Sequence, residues 1–234
     1  MDENTIKKIL VIDDDSQLRR MMEYPLTREG AIVLLAENGK EGLRQFYTHQ
    51  PDLVLLDVMM PEMHGWDACQ SIRKLSDVPI IMVTALGNDE DVIHGLSLGA
   101  DDYIIKPFNV NVFVARVQAA LRRTEKGMEL KQGTAYADSH LTVDIDQRRV
   151  LAGGVDVTLT ATEFRLLAYL IENAGRVMSF ELILESVWGW DNTEDVNYIR
   201  VYISHLRKKL EKDPKNPEYI QNVQGVGYFF EKKE

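Results

Sequence analysis

Carboxylates follow two apolar stretches of this sequence directly. The first stretch runs into Asp13, Asp14 and Asp15, and the second runs into Asp57. A helix cap explains one of the three consecutive acids, and we assign that role to Asp15 or Ser16. The others repel one another unless a cation balances them, and their hard oxygens suit Mg²⁺, which takes one or two protein carboxylates and keeps several waters. We therefore predict a magnesium site; solvated acidic turns are the alternative.

Asp57 has two interpretations. It caps the next turn, or it is a reactive group at the carboxyl end of a parallel strand, where open α/β sheets place their ligands. Thr84 and Lys106 also end apolar stretches. Thr is ordinary at a strand end, whereas a Lys beside carboxylates forms an ion pair or supplies a point charge for a phosphate. The Lys106–Pro107 bond has an appreciable chance of being cis, which would aim the Lys side chain inward.

Strands and helices alternate over the first half of the chain. Five strands alternating with five helices predict an α/β fold with a doubly wound parallel sheet in the order 2-1-3-4-5. The first and third strands are then neighbours, so Asp13, Asp14 and Asp57 converge at one edge of the sheet. Pro25 falls inside the first helical pattern and should kink or shorten that helix. The predicted strands are residues 6–12, 32–36, 53–57, 79–84 and 103–105.

Composition limits the class of protein. The 234 residues are 45% apolar and 27% charged, as in a soluble globular protein, and the single cysteine fits a reducing cytoplasm. The amino terminus lacks the order of a signal peptide and no apolar run approaches a membrane span, so we expect no membrane partner. The net charge of −10 argues against promiscuous nucleic-acid binding. DNA binding would therefore need a local basic patch.

A second domain follows a short polar segment. Residues 124–132 lack a clear period, so we interpret them as a linker between a domain of residues 1–123 and one of residues 133–234. Short strands with turn signals predict that the second domain begins with a small antiparallel sheet. Three helices follow, of which the first opens on the capping-box pattern of Thr160 and Glu163.

The third helix of this domain, at about residues 195–210, carries the candidates for nucleic-acid contact. Its apolar side chains recur at a 3–4 spacing, and from Arg200 to Lys215 six basic residues stand against two acidic ones. A solvated face is the alternative, but DNA binding needs phosphate anchors and short polar side chains that reach base edges, and this helix has both. We predict DNA contacts by Asn197, Arg200, Ser204, His205, Arg207 and Lys208.

The first domain resembles the receiver domain of bacterial two-component response regulators, a flavodoxin-like fold. The resemblance covers residues 5–123 and rests on Asp13-Asp14, Asp57 with Met59-Met60-Pro61 and Gly65, Thr84-Ala85, and Lys106-Pro107. It implies that a sensor histidine kinase phosphorylates Asp57 and that Thr84 and Lys106 bind the phosphoryl oxygens. The implied Mg²⁺ ligands are Asp14, Asp57 and the Met59 carbonyl, with Asp13 acting through water. One departure is His64, where the family usually has Asp.

The resemblance also implies a switch and a dimer. Thr84 and Tyr103 match the family's switch pair, in which the aromatic ring follows the Thr hydroxyl inward, although Tyr103 is otherwise an ordinary strand aromatic. In the OmpR/PhoB branch, the face of the fourth helix, fifth strand and fifth helix then dimerises. The matching residues are Ile93, Leu96 and Ala115 in an apolar patch, Asp102 with Arg116, and Asp101 with Arg123. Val92 and Val112 stand at a third pair, where we expect an apolar contact between subunits.

The second domain resembles the winged-helix output domain of the same branch across residues 133–232. The matching motifs are Thr160-Ala-Thr-Glu-Phe164, Leu206-Arg-Lys-Lys-Leu210 and Gly225-Val-Gly-Tyr228, and the third helix looks like that of the potassium-transport-operon regulators. Together the domains imply a phosphorylation-activated transcriptional regulator. It would be mostly monomeric when unphosphorylated, would dimerise when phosphorylated, and would bind two half-sites of double-stranded DNA. RNA polymerase is a further expected partner.

A haloacid-dehalogenase-like phosphatase is the alternative from another class. Asp13 would be its nucleophile and Asp15 its acid, but Asp57 would then have no role and the basic helix no explanation. We therefore expect that the protein is not an enzyme. A regulator with degenerate signalling that binds DNA constitutively is a third possibility.

Overall fold

The computed structural model of the protein describes residues 6–125, 134–189 and 196–233. The chain divides into two compact units, an amino-terminal unit of Met1–Thr124 and a carboxyl-terminal unit of Glu125–Glu234. Across the described residues, no helix has the length and apolar character needed to cross a membrane.

The amino-terminal unit is a parallel five-stranded sheet with flanking helices. Its strands are β1 (Lys8–Ile12), β2 (Ile32–Ala36), β3 (Leu53–Leu56), β4 (Ile80–Thr84) and β5 (Asp102–Ile105). Its helices are α1 (Ser16–Arg28), α2 (Gly39–His49), α3 (Gly65–Arg73), α4 (Asp89–Ser97) and α5 (Val110–Glu125). The strands lie in the order β2-β1-β3-β4-β5, and all neighbours are parallel. The predicted fold class and strand order are confirmed.

The central strands are buried on both faces. Every residue of β3 and of β4 is buried, as expected for continuous apolar runs in the middle of a parallel sheet. Each fully buried aliphatic side chain contributes roughly 1.5–3 kcal/mol. The polar residues just beyond these strands are therefore held at the edge of a tightly packed core.

Helix α1 begins with Asp15 as its cap, one of the two residues to which the sequence analysis assigned that role. The Asp15 carboxylate accepts hydrogen bonds from the N–H groups of Gln17 and Leu18. The expected shortening at Pro25 does not occur, because α1 continues to Arg28. The Pro25 carbonyl still accepts a hydrogen bond from the Glu29 N–H at 3.2 Å, so the last turn closes beyond the proline.

The linker prediction needs one correction. Helix α5 extends to Glu125, so residues 124 and 125 are helical rather than linker. The sequence did not predict that the helix continues to this point, because the segment lacks apolar periodicity. The remainder of the predicted linker, residues 126–132, lies outside the described residues.

The carboxyl-terminal unit holds two antiparallel sheets and three helices in its described part. The first sheet is formed by β6 (Thr134–Ala137), β7 (Leu141–Asp144), β8 (Arg149–Ala152) and β9 (Val155–Asp156). The helices are α6 (Ala161–Glu172), α7 (Phe180–Trp188) and α8 (Val196–Leu210). The second sheet has the order β10-β12-β11, from β10 (Met178–Ser179), β11 (Ile220–Val223) and β12 (Gly227–Phe230). The capping box of Thr160 and Glu163 is confirmed at the start of α6.

A carboxylate joins the two sheets of this unit. Asp138 Oδ2 accepts hydrogen bonds from the hydroxyls of Tyr136 at 2.6 Å and Tyr219 at 2.9 Å. Its other oxygen accepts the N–H groups of His140 and Leu141, both at 2.7 Å. Burial alone would raise the pKa of Asp138, but these four donors outweigh it and lower the pKa to about 2. The terminal hairpin β11–β12 is thereby tied to the first sheet.

Candidate functional site

The carboxyl edge of the parallel sheet gathers three carboxylates. In the register of the sheet, Ile12 at the end of β1 lies beside Leu56 at the end of β3, so the residues that follow them meet. Ligand oxygens of Asp13, Asp14 and Asp57 all lie within 4.8 Å of one another. Asp13 is fully buried, Asp57 is 6% exposed, and Asp14 is exposed. The predicted convergence of these acids is confirmed, with an opening to solvent at Asp14.

Lys106 lies between the two buried carboxylates. Its Nζ is 2.7 Å from Asp13 Oδ2 and 2.9 Å from Asp57 Oδ2. The Lys106–Pro107 peptide bond is cis. Burial lowers the pKa of Lys106, but its hydrogen bonds to the two carboxylates outweigh this effect and leave its pKa raised. Lys106 is therefore charged, and it is placed to contact any group bound to Asp57.

The orientation of Asp57 is set by the backbone around it. Asp57 Oδ1 accepts hydrogen bonds from the N–H groups of Val58 at 2.7 Å and Met59 at 3.3 Å. The start of α3 packs directly on this strand end, because a Cβ on Gly65 would lie 1.9 Å from the Asp57 carbonyl oxygen. Only glycine fits there. His64, just before it, is exposed and makes no side-chain cap for α3.

The charges of the pocket suit a divalent cation. Burial raises the pKa of Asp13, although its hydrogen bond to Lys106 works against that rise. Three carboxylates and one ammonium carry two excess negative charges when all are ionised, and all three acids offer the hard oxygen ligands that Mg²⁺ prefers. The donor set therefore fits Mg²⁺, with Asp14 on the open side.

Thr84 and Tyr103 lie on neighbouring strands and are both buried. Thr84 has no exposed surface, and its Oγ1 accepts a hydrogen bond from the Leu86 N–H at 3.4 Å. Tyr103 is 4% exposed. Burial, and after it the charges of Asp91 and Asp57, raise the pKa of the Tyr103 hydroxyl. The ring is thus more deeply buried than an ordinary half-buried strand aromatic.

The predicted apolar dimer patch is only partly at the surface. Ile93 is 38% exposed and Ala115 is also exposed, but Leu96 is fully buried in the subunit. Val92 is 6% exposed whereas Val112 is 51% exposed, so Val92 offers little surface to the contact expected between these two valines. Val92 and Leu96 are one helical turn apart and share the side of α4 that faces its own sheet.

The two aspartates of the predicted dimer-face ion pairs, Asp101 and Asp102, each have an arginine partner within the chain. Arg116 NH1 donates to Asp102 Oδ1 at 2.7 Å. Asp101 Oδ2 accepts from Arg73 NH2 at 2.6 Å and from the Ile80 N–H at 3.0 Å, and Asp101 is 2% exposed. The side chain of Arg123 lies outside the described residues. An Asp101–Arg123 pair across a dimer would have to break a buried internal pair, which the spacing of the sequence did not reveal.

One face of α8 is polar and open to solvent. Arg200, Ser204 and Lys208 are exposed, and their spacing of four residues places them in one row along the helix. Asn197 lies one turn before Arg200, whose NH1 is 3.5 Å from the Asn197 Oδ1. The buried side chains Ile199, Ile203, Leu206 and Leu210 hold the opposite face in the core. The open row offers two cations and a hydroxyl to a partner.

Arg207 and His205, also predicted to contact DNA, are turned toward the protein. Arg207 donates from Nε at 3.1 Å and NH2 at 2.6 Å to the Ile220 carbonyl, and its guanidinium lies 5.7 Å from the Tyr228 ring centroid. His205 Nδ1 is 3.6 Å from Glu163, and burial lowers the pKa of this histidine. These residues fall outside the exposed row because helical phase, not composition, decides which face a residue occupies.

Two buried glutamates, Glu163 and Glu211, hold α8 in place, a role that the sequence did not reveal for either of them. Glu163 accepts from Lys209 Nζ at 2.7 Å, which joins α6 to α8. Glu211 accepts the N–H groups of Glu218, Tyr219 and Ile220 at 2.7–3.0 Å, which joins the end of α8 to the hairpin. A glutamate beside basic residues looks like a solvated charge in a sequence, so only its burial reveals this role.

Comparisons with known proteins agree with this architecture. A family model for the response regulator receiver domain matches residues 9–118, and one for the carboxyl-terminal part of transcriptional regulatory proteins matches residues 154–230. A probable transcriptional regulator ycf27 of Guillardia theta is 42% identical over 237 residues, covering 99% of this chain and 93% of that protein. The crystal structure of DrrB, an OmpR/PhoB homologue of Thermotoga maritima, is 33% identical with a TM-score of 0.53, covering 97% of this chain and 100% of that one.

The chain belongs to the OmpR/PhoB family of response regulators. A mutant of RitR is a further structural neighbour, at 28% identity and a TM-score of 0.76, with 97% of this chain and 100% of that one covered. The region that matches the receiver-domain model contains the acidic pocket with Lys106. The region that matches the second model contains α8 and the hairpin β11–β12. The two sites built above therefore fall one in each matched region.

Proposed function

We propose that Asp57 of this transcriptional regulator accepts a phosphoryl group from a sensor histidine kinase and that the phosphorylated chain binds DNA through α8. The observation that carries the proposal is the pocket around Asp57. A carboxylate lies at a strand end with a charged lysine at 2.9 Å and two further carboxylates within 4.8 Å, one of them open to solvent. This arrangement presents a nucleophile, a countercharge and a metal-binding edge together.

In the proposed reaction, an Asp57 carboxylate oxygen forms a bond to phosphorus as the bond from phosphorus to the kinase histidine nitrogen breaks. Asp14, Asp57 and the Met59 carbonyl would hold Mg²⁺, with Asp13 acting through water, and the bound metal would supply positive charge beside the phosphoryl oxygens. Lys106 is already 2.9 Å from Asp57 and would follow the transferred group. Thr84 would donate its hydroxyl to a phosphoryl oxygen and give up its contact with the Leu86 N–H.

The output would be a phosphorylation-dependent homodimer. Ile93 and Ala115 offer exposed apolar surface on α4 and α5, and the Asp102–Arg116 pair borders β5. Leu96 and Asp101 would contribute only after rearrangement, because both are buried within the subunit. The proposal for the interface therefore rests on fewer residues than the sequence suggested.

The DNA surface would be the exposed row of α8. Arg200 and Lys208 would anchor phosphates, and Ser204 with Asn197 would reach base edges. Arg207 and His205 would act indirectly, by holding the helix against the hairpin and α6. A regulator that binds DNA works in the compartment that holds its DNA, which is the basis for the proposed cytoplasmic location. The DNA-bound regulator would contact RNA polymerase at the promoter.

Phosphorylation is tested with a small acyl-phosphate donor and Mg²⁺. The wild type should retain label on Asp57, and Asp57→Asn should lose it, as read by intact-protein mass. Asp67→Asn is the matched control, because Asp67 is an exposed acid on α3 outside the pocket. Label retained in Asp57→Asn would contradict the proposal.

The same experiment discriminates the phosphatase alternative. Rapid turnover of the donor that is abolished by Asp13→Asn, but not by Asp57→Asn, would support an Asp13 nucleophile. Family membership favours the regulator, and the pairing of Lys106 with both carboxylates gives Asp57 a place in the same pocket.

A further inference from the structure

Helix α4 contains a glycine, Gly95, among its last residues. Glycine is disfavoured inside a helix relative to alanine, because it loses more backbone freedom on folding. The helical backbone at this position is one that alanine adopts readily. The reason for glycine here must therefore be the space around it.

That space is filled by the ring of Tyr103. A Cβ placed on Gly95 would lie 3.0 Å from Tyr103 Cε2 and 3.3 Å from Cδ2, closer than ordinary van der Waals contact. The third neighbour, Met82 Cγ, would be 3.7 Å away and would not interfere. Because Tyr103 is 4% exposed, the missing side chain of Gly95 is what admits the ring to its buried position.

A second glycine repeats the arrangement on the same side of β5. Tyr103 and Ile105 alternate with Ile104 along the strand and share one face. A Cβ on Gly87, in the loop before α4, would lie 2.8 Å from Ile105 Cγ2. Ile105 is 46% exposed and has room to move, whereas Tyr103 is covered. The α4 segment thus approaches this face of β5 through two glycines, and the contact at Gly95 is the constrained one.

We infer that Gly95 is a positioning residue of the switch, which leaves room for the inward Tyr103 ring beside α4. The inference rests on the proposed role of Tyr103 in coupling Asp57 to the dimer face. A methyl group at position 95 penalises the inward ring but not the outward one. Phosphorylation would then shift the population less far toward the dimerising state.

Gly95→Ala tests this inference in the full chain. With the acyl-phosphate donor and Mg²⁺, Asp57 should be phosphorylated at the wild-type rate. The protein concentration for half-dimerisation, measured by sedimentation, should rise roughly tenfold to a hundredfold, because each of the two protomers carries one strained side-chain torsion that costs about threefold to tenfold. Fluorotyrosine labelling gives one ¹⁹F resonance for each of the nine tyrosines, and that of Tyr103 should shift to an exposed position. Ser97→Ala, at an exposed position of the same helix, should dimerise like the wild type.

A double-mutant cycle shows whether the effect passes through the ring. In a Tyr103→Ala background, Gly95→Ala should have no further effect on dimerisation. An equal effect in both backgrounds, or wild-type dimerisation with an unshifted Tyr103 resonance, would overturn the inference. If the wild type itself dimerises equally with and without phosphorylation, the proposed switch fails instead, so the two failures are distinguishable.

Discussion

Lys106 is the residue on which the acidic pocket depends. It makes hydrogen-bonded ion pairs with Asp13 and Asp57, and the side chains of all three are largely buried. Because hydrogen bonds to the two carboxylates raise its pKa above the ordinary value of 10.5, its contribution to stability is fully present below that pH and is lost as the pH rises through the folded pKa. Near neutrality Lys106 therefore carries its positive charge.

Replacing Lys106 with Met should lower the free energy of unfolding at pH 7 by about 3 kcal/mol, because Asp13 and Asp57 are then buried together without a countercharge. The loss should shrink as the pH falls toward 5. Burial raises the pKa of Asp13, so this carboxyl takes up a proton above its ordinary range and relieves the repulsion. Urea unfolding at the two pH values measures both effects.

Lys40→Met is the matched control, since Lys40 forms an exposed pair with Glu62 at 3.3 Å. A surface pair of this kind contributes at most about 1 kcal/mol. Equal losses for the Lys106 variant at pH 7 and pH 5 would show that the pocket carboxylates do not interact as described.

At the scale of the element, α8 has two distinct polar faces. Arg200, Ser204 and Lys208 form the exposed row, whereas Arg207 is bonded to the Ile220 carbonyl of the hairpin. A phosphate contact and a structural contact have different consequences when an arginine or lysine is removed. Loss of a phosphate contact lowers DNA affinity and reduces its salt dependence, whereas loss of a structural contact lowers the stability of the fold.

Lys208→Ala should therefore lower DNA affinity and reduce the salt slope of binding by about 1 per protomer, with the melting temperature unchanged. Arg207→Ala should lower the melting temperature of the carboxyl-terminal unit, because it leaves the Ile220 carbonyl without its guanidinium donor and removes the contact with Tyr228. Thermal unfolding and binding titrations at several salt concentrations separate the two. A reduced salt slope for Arg207→Ala at unchanged stability would show that Arg207 contacts DNA after all.

At the scale of the whole molecule, DNA binding must overcome a net charge of −10. The cations for that task are few, because Arg207 and Lys209 are bonded within the carboxyl-terminal unit. Dimerisation doubles the remaining set on one DNA molecule. Phosphorylation would thus act on affinity by pairing two weak surfaces.

The phosphorylated dimer should show a shallow salt dependence. Arg200 and Lys208 of two protomers give four phosphate contacts, and at about 0.9 per contact the slope of log K against log salt should be about −4. DNA recovered by affinity selection provides the ligand, and titrations across salt concentrations provide the slope. A slope near zero would show that α8 does not contact phosphates, whereas one near −10 would require a much larger basic surface.

Sequence reasoning was most reliable where the chain's periodicity and its strand ends specify position. The apolar run before Asp57, the cap at Asp15 and the capping box at Thr160 each depend on neighbours in the chain, and all were predictable. The ion pair between Asp101 and Arg73 was not predictable, because the two residues meet only when the end of α3 packs against the edge of β4. The sequence showed an acid near a plausible partner, but not which of two arginines it would contact.

By itself, the sequence determined the doubly wound sheet, the strand order and therefore the meeting of Asp13, Asp14, Asp57 and Lys106, because parallel strands with right-handed crossovers bring their carboxyl ends to one edge. Only the tertiary structure decided which residues of α4, of α8 and of the loop before β5 are buried, and what they contact. Leu96 and Asp101 are buried, Arg207 holds the hairpin, and Gly95 makes room for Tyr103. Successive residues of a helix differ in direction by about 100° around its axis. How the helix packs therefore determines which of its residues are exposed, and composition does not.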